Sequence, residues 1–488
     1  EVMDVHEEVA SIVNRVLRRE RGVRSLVYES HFANKKLLLR LSAETLKFHT
    51  LFDAILQDKE CRPLIDEPCM YADMGFTYVC MYEFFCGRGT KELPREVNDT
   101  LSHFGPILRR RERELSEEGR GLQSIREKND KREKDVLLPR YARINILKWT
   151  EEEAYKALED EEWTVVRLSE GESFIDRIRR MKNDEVLVDP HVPLLLAFPA
   201  VPNFHTYWMI TNRNLILQDK ASCLPAFLLN PDPNSSIIDA CAAPGMKTSH
   251  LAAMINNTGT IFAFDRSYER TETMKEMLGA ASVRNAKVLN EDFLKINVKS
   301  GQYANVEYAL VDPPCSGSGI VKRMDEWLGG GVDECRLSKL ANLQAMLLKH
   351  AMSMPSLRRV VYSTCSVHDT ENEMVVAEVL KDVSTFRVKE GVLPEWTERG
   401  KEAYDFGQHC LRADPSKTAT NGFFVAVFER IEGEMRDEKM KKKDKRMKKE
   451  NMSSKWEEEP KKRKLTEEEE EEMEEMEKKK KKIEERKN

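Results

Sequence analysis

Val5, Val9, Ile12, Val13, Val16 and Leu17 fall on one face of a helix with 3.6 residues per turn. Phe48, Leu51, Phe52 and Ile55 repeat that pattern, and GFTYVCMYEFFCG (75–87) is apolar nearly throughout before it stops at Gly87. The first two stretches predict amphipathic helices and the third a buried helix closed by glycine, which together give a helical N-terminal domain over 1–125. Its Cys and Met residues read as core. A charged run, RRRERELSEEGR (109–120) continued by REKNDKREKD (126–135), then separates these helices from the next part of the chain. It reads either as a surface helix or as a linker, with arginines available to phosphate as the weaker alternative.

The period changes after Tyr141. RINILK (143–148) alternates as a strand does, and Thr150 with Glu153 forms a capping box that opens a helix through Leu158. WTVVRL (163–168) and EVLVDPHVPLLLAFP (185–199) are apolar and punctuated by proline, so 140–215 reads as a small α/β unit. From NPDPNSS (230–236) the chain enters a short apolar strand, IID, and runs on through ACAAPGMKTSHLAAMI (240–255). Strand, small-residue turn and helix is the arrangement in which a doubly wound sheet cradles a nucleotide at the carboxyl end of its first strand. TIFAFD (260–265) ends in Asp265, placed where an acid can take ribose hydroxyls, and AKVLNED (286–292) ends in Asp292. Each acid alone is equally well a solvated strand end or a cap; three acidic strand ends in order point to a site.

The fourth strand, YALVDPPCSGSG (308–319), carries Asp312 and Cys315 just past its end, and the fifth, RVVYSTCS (359–366), ends in Cys365. Two prolines stiffen the first of these turns and its glycines permit close backbone approach to a planar ligand. Adjacent strand ends of a parallel sheet open onto one crevice, so the two cysteines are expected to share a site. The alternative for both is a small buried core residue, as expected for Cys223.

Composition narrows the class. Ten cysteines without a Cys-x-x-Cys pair predict reduced thiols and an intracellular protein, and no ligand set for a metal is apparent. LLLAF (194–198) and similar runs are too short to span a bilayer, so no membrane partner is expected. The chain begins at Glu1 rather than Met, which leaves room for residues before it. Residues 433–488 hold 21 Lys/Arg and 19 Asp/Glu in blocks, KKKDKRMKK (441–449) and PKKRK (460–464) against EEEEEEMEEME (467–477), and predict a disordered tail. Its basic blocks suit nuclear import or phosphate contact as readily as mere solvation. The remaining 58 basic and 66 acidic residues leave the folded part acidic, so any nucleic-acid site there must be a local patch.

DACAAPGMKTSHLAA, FAFDRSYER, VDPPCSGSG, VYSTCS and GFFVAVFER (422–430), in this order, resemble the RNA 5-methylcytosine methyltransferases of the Sun/RsmB (NSUN) family. ILQDKASCLPAFLLNP (216–231) is similar to that family's lead-in segment. SLVYESHFANKKLL (25–38), YEFFCGRG (82–89) and VDPHVPLLLAFP (188–199) are most similar to its fifth-member branch, which acts on large-subunit ribosomal RNA. The resemblance implies an α/β fold with a doubly wound, Rossmann-like methyltransferase sheet over 216–432, beside the helical domain, an RNA-recognition-like unit at 140–215 and the charged tail. It implies S-adenosyl-L-methionine as cofactor, RNA or pre-ribosomal particles as partner, and a nuclear, nucleolar location.

By the same resemblance, Cys241, Ala242, Ala243, Pro244, Gly245, Met246 and Lys247 wrap the cofactor. Asp265 takes its ribose hydroxyls, Arg270 is a further contact, Asp292 reaches the adenine, and Asp312 borders both cofactor and base. Met246 departs from the Gly or Asn usual there. The chemistry explains a second cysteine: C5 of cytosine is a poor nucleophile until a thiolate adds at C6, and the thioether must be eliminated after methyl transfer. A carboxyl near N3, for which Asp312 is the candidate, supports the developing charge, and Lys247 favours the thiolate if it faces the cleft. In the family resembled, the residue at Cys365 attacks and that at Cys315 assists release; in DNA cytosine methyltransferases the Pro-Cys residue, here Cys315, attacks. A silent methyltransferase fold serving ribosome assembly is the third reading.

Overall fold

The computed structural model describes residues 5–18, 20, 22–87, 93–127, 138–200, 204–321, 334–431, 476, 478 and 479. The expected tail at 433–488 therefore lies outside the described residues but for three positions.

The N-terminal helices are α1 (Val5–Leu17), α2 (Val23–Glu29), α3 (Lys35–Leu56), α4 (Met74–Phe85) and α5 (Arg95–Glu117). Val9, Ile12, Val13 and Val16 pack with Phe48, Leu51, Phe52 and Ile55 and with Phe76 and Val79 in one core, as the periodicity requires. Asp73 caps α4 by accepting the Phe76 N–H, and the Gly87 N–H returns to the Tyr82 carbonyl to close it. Between the two readings of the charged run, the surface helix holds as far as Glu117, and residues 128–135 of the run lie outside the described residues. Arg109 lies over the Phe84 ring and Arg110 pairs with Glu60 at 2.7 Å.

A five-stranded sheet comes next: β1 (Arg140–Ile144), β2 (Thr164–Val166), β3 (Glu185–Val188), β4 (Leu195–Phe198) and β5 (Leu215–Leu217), in the order β2-β3-β4-β1-β5. The strand expected at 143–148 ends earlier, at Ile144. Asn145 turns the chain there: its side chain accepts from Leu147 N–H at 3.2 Å and donates to the Arg213 and Ala281 carbonyls at 2.9 and 3.0 Å. The capping box is present, with Thr150 and Glu153 bonded reciprocally at the head of helix Glu151–Asp160. The long apolar run 185–199 is two strands, because Asp189 accepts the N–H groups of His191 and Val192 and makes a hairpin corner.

The second sheet comprises β6 (Ser236–Asp239), β7 (Thr260–Phe264), β8 (Ala286–Leu289), β9 (Tyr308–Val311), β10 (Arg359–Thr364), β11 (Phe386–Val388), β12 (Leu411–Ala413) and β13 (Phe423–Arg430). The path β11-β13-β10-β9-β6-β7-β8 is parallel from β10 to β8, and β13 inserts antiparallel beside β10. Successive strands run outward from β6 through β7 to β8, and the chain then returns to β9 on the other side of β6. This reversal opens a crevice at the carboxyl ends of β6 and β9, the ligand position of a doubly wound sheet. The strands bordering the reversal are buried on both faces, which is why they read as unbroken apolar runs.

The two sheets are joined through buried polar contacts. Arg143 of β1, 1% exposed, donates to Ser249 Oγ at 3.0 Å, and the Tyr141 hydroxyl donates to the Ala419 carbonyl at 2.9 Å. Among the described residues, no helix is long and apolar enough to cross a membrane.

Candidate active site

Asp239 is the last residue of β6 and is buried. Thr248 Oγ1 donates to its Oδ2 at 2.7 Å, while Oδ1 finds no partner among the described residues, and burial pushes the carboxyl up to about 7. The chain then turns through Cys241–Gly245 into helix Met246–Met254. Gly245 has φ +97°, and a Cβ there would come within 2.9 Å of Met277 Cε and 3.0 Å of Met274 Cγ, so only glycine fits. The Met246 side chain packs with Ala242, Ala243, Met274, Met277 and Leu278, which accounts for an apolar residue at this point of the turn. Cys241 is half-buried, and desolvation pushes its thiol well up.

Asp265 follows β7. Its Oδ1 accepts the Ser267 N–H at 3.0 Å and its Oδ2 lies 3.1 Å from Arg270 Nη1. Arg270 also donates to the Ala243 carbonyl, so it ties the turn after β7 to the turn after β6. Each Asp265 oxygen keeps a second lone pair, which fits a vicinal diol at the crevice edge. Asp292, beyond β8, caps a short turn by accepting the Leu294 N–H at 3.1 Å. The donor set along β6 and β7 therefore fits a nucleoside with a flexible tail reaching toward β9.

At the ends of β9 and β10 the side chains converge. Lys247 Nζ lies 2.7 Å from Asp312 Oδ2 and 3.0 Å from Ser222 Oγ, and Ser363 Oγ donates to Asp312 Oδ1 at 2.6 Å. Burial works against the Lys247 ammonium, but the charge and hydrogen bond of Asp312 outweigh it and the net shift is upward. The ammonium is therefore retained. Cys315 Sγ and Cys365 Sγ are 3.1 Å apart, both half-buried. The hydrogen bond to Cys365 is the largest of the influences that push the Cys315 thiol up, followed by burial, then the charge of Cys365 itself, and then the negative charges of Glu371 and Asp312. Of the residues expected from the sequence, the structure thus brings Lys247, Asp312, Cys315 and Cys365 into one cluster and Asp265, Arg270 and the 241–247 turn into a second, adjoining one. Asp292 joins neither by direct contact.

Residues 226–429 match the family model for the 16S rRNA methyltransferases RsmB/F, and residues 138–218 match that for the ferredoxin-like domain of NOL1/NOP2/Sun domain family member 5. A Caenorhabditis elegans relative described as 26S rRNA (cytosine-C(5))-methyltransferase nsun-5 is 51% identical over 431 residues, 88% of this chain and 98% of the relative. The chain belongs to the NOL1/NOP2/Sun (RsmB/F) methyltransferase family. A Mus musculus member, described as 28S rRNA (cytosine-C(5))-methyltransferase, is 38% identical over 88% of this chain and 92% of its own length. The crystal structure of PH0851, 21% identical with a TM-score of 0.56, covers 88% of this chain and 99% of that one and shares the fold.

Several residues that complete the site of this NOL1/NOP2/Sun chain carry no signal in the sequence. Ser222 lies in the lead-in helix Lys220–Leu229, and Ser363 and Ser366 lie at the end of β10. Glu371 and Gln344 are fully buried beneath the Cys315 loop: Glu371 Oε1 accepts from Ser316 N–H at 2.8 Å and from Gln344 Nε2 at 3.0 Å. The one hint of Glu371 is the acidic cluster DTENE directly after VYSTCSVH, which reads as exposed polar chain until its burial is seen.

Proposed function

We propose that this protein transfers a methyl group from S-adenosyl-L-methionine to C5 of a cytosine in large-subunit ribosomal RNA through a covalent bond between Cys365 and C6. The observation that carries the proposal is the 3.1 Å approach of Cys315 and Cys365 beside the Lys247–Asp312 pair. A single thiol is enough for attack; a second within hydrogen-bond reach gives the first sulfur a donor when it must depart. The names of the relatives, which specify 26S and 28S rRNA, support the substrate class.

When bound, S-adenosyl-L-methionine supplies an electrophilic methyl, and the 241–247 turn, Asp265, Arg270 and Asp292 would hold it. The Lys247 ammonium, held beside the N3 edge of the cytosine by Asp312, offsets the negative charge that develops there as the Cys365 thiolate bonds to C6, and Ser363 orients Asp312. Once C5 is methylated, solvent takes the C5 proton, the electron pair of that C–H bond restores the C5–C6 double bond, and the C6–S bond breaks with its pair returning to Cys365. Cys315 stabilises that departing sulfur by donating its S–H across the 3.1 Å gap. The target base must leave its stack to enter the crevice, which favours a loop or remodelled RNA helix.

Residues 216–432 form the catalytic domain in this reading, 140–215 and 1–125 present the RNA, and the basic blocks of 433–488 serve nuclear and nucleolar retention in pre-ribosomal particles. The test is methyl transfer from labelled cofactor into ribosomal RNA and into DNA. Label is expected in cytosines of large-subunit RNA alone. Label in DNA, or none in either, overturns the reading.

A further inference from the structure

Two acids in the turn after β10 are fully buried, and the fold treats them differently. Glu373 is neutralised by Arg412, whose Nη2 and Nε lie 2.6 and 2.8 Å from its two oxygens. Glu371, two residues earlier, is met by neutral donors only. Its Oε1 takes the Ser316 N–H and Gln344 Nε2, its backbone carbonyl takes the Tyr362 hydroxyl at 2.5 Å, and Oε2 is buried without a hydrogen-bond partner among the described residues. Ser316 is the residue next to Cys315, and Gln344 also donates to the carbonyl of Pro314 at 3.0 Å. The residues on either side of Cys315 are thereby pinned through Gln344 and Glu371, and no cation pairs with the Glu371 carboxyl among the described residues.

We propose that Glu371 is a positioning residue for Cys315: its carboxylate fixes the loop that carries the thiol, and its negative charge keeps the proton on that sulfur until the bond between Cys365 and C6 breaks. The inference rests on the reading of Cys365 as attacker and Cys315 as release residue, and it explains how two adjacent thiols come to differ. The titratable groups acting on the Cys315 thiol are Cys365, 3.1 Å away, then Glu371 and Asp312, with Tyr362 of β10 also within electrostatic reach. The Lys247 ammonium is paired with Asp312 at 2.7 Å and interacts with Cys365.

The test reads the ionisation of Cys315 directly, in the full chain carrying Cys365→Ala so that one site thiol remains. The pH dependence of iodoacetamide labelling is followed at the Cys315 peptide by mass spectrometry, with exposed Cys335 as an internal reference. Glu371→Gln keeps an acceptor for Ser316 N–H and removes the charge; the labelling midpoint is expected to fall by about one pH unit, roughly tenfold faster labelling below the midpoint. Glu371→Asp, which restores the charge, should return it toward the parent. An unmoved midpoint in folded Glu371→Gln overturns the proposal, since a purely structural pin leaves the ionisation unchanged. Should Glu371→Gln fail to fold, Glu371→Met, neutral and of similar length, takes its place: a lowered Cys315 midpoint supports the proposal and an unmoved one overturns it. The labelling needs no RNA, so its failure is distinct from a failure of methyl transfer, which would instead remove the functional reading.

Discussion

Cys315 Sγ and Cys365 Sγ, fifty positions apart in sequence, sit 3.1 Å from one another at the ends of neighbouring parallel strands. The contact is made by register: β9 and β10 pair Val311 with Tyr362, so the turns that follow them emerge side by side into the crevice. Attack and release can then be assigned to different sulfurs and separated by substitution.

Cys365→Ala should abolish both methylation and any covalent RNA complex, because no bond to C6 can form. Cys315→Ala should still permit attack and methyl transfer but leave the thioether unresolved, so an adduct stable to denaturing electrophoresis accumulates. The double variant should show none. The reversed pattern, with the adduct trapped in Cys365→Ala, would make the Pro-Cys residue the nucleophile.

Two thiols this close are also a target for peroxide. Each sulfur would give up a proton and one electron to form a disulfide while the peroxide is reduced to two waters, and the S–S separation need close by only about 1 Å. Activity should be lost with appearance of a cross-linked Cys315–Cys365 peptide and restored by dithiothreitol. Full activity after treatment, with both thiols still alkylatable, would show that the approach is too constrained for bonding.

Asp265→Ala removes an ionised acceptor at the edge of the crevice and leaves Arg270 without its ion pair. Calorimetry should show cofactor binding weaker by about 1.5 to 3 kcal/mol, roughly 10- to 150-fold. Unchanged affinity would assign Asp265 to the Arg270 tether alone.

Asp239 gives a pH dependence of known sign. Burial raises its carboxyl from the ordinary 3.8 to about 7, so the folded state holds the proton more tightly than the unfolded chain. That contribution is complete below about pH 3.8 and is lost as pH rises through 7. Asp239→Asn, which can still accept from Thr248, should therefore gain in melting temperature relative to the parent between pH 4 and 7 and hold a constant margin above it. A margin independent of pH would mean that the carboxyl is not buried as described.

The helical periodicity of Val9, Ile12, Val13 and Val16, the capping box at Thr150 and the succession of apolar strands ending in Asp265, Asp312 and Cys365 were all legible in the sequence, because each depends on residues within one or two turns or along one strand. The end of β1 was not, since Asn145 is drawn into its turn by carbonyls at Arg213 and Ala281. Nor was the completed site. Lys247 was a conditional candidate whose role depends on Asp312 lying 2.7 Å away, and Ser222, Ser363 and Gln344 carry no local mark of their partners. Glu371 illustrates the limit most plainly: in a run of polar residues an acid reads as solvated, whereas in the fold it is fully buried with Gln344 of the long helix Glu334–Met352 donating to it. Sequence marked the candidate residues and the strands that end in them, because strand period and turn chemistry are local. The distances, the burial and hence the charge state of each group were decided by tertiary structure, because desolvation and Coulomb interaction depend on what lies nearby in space rather than along the chain.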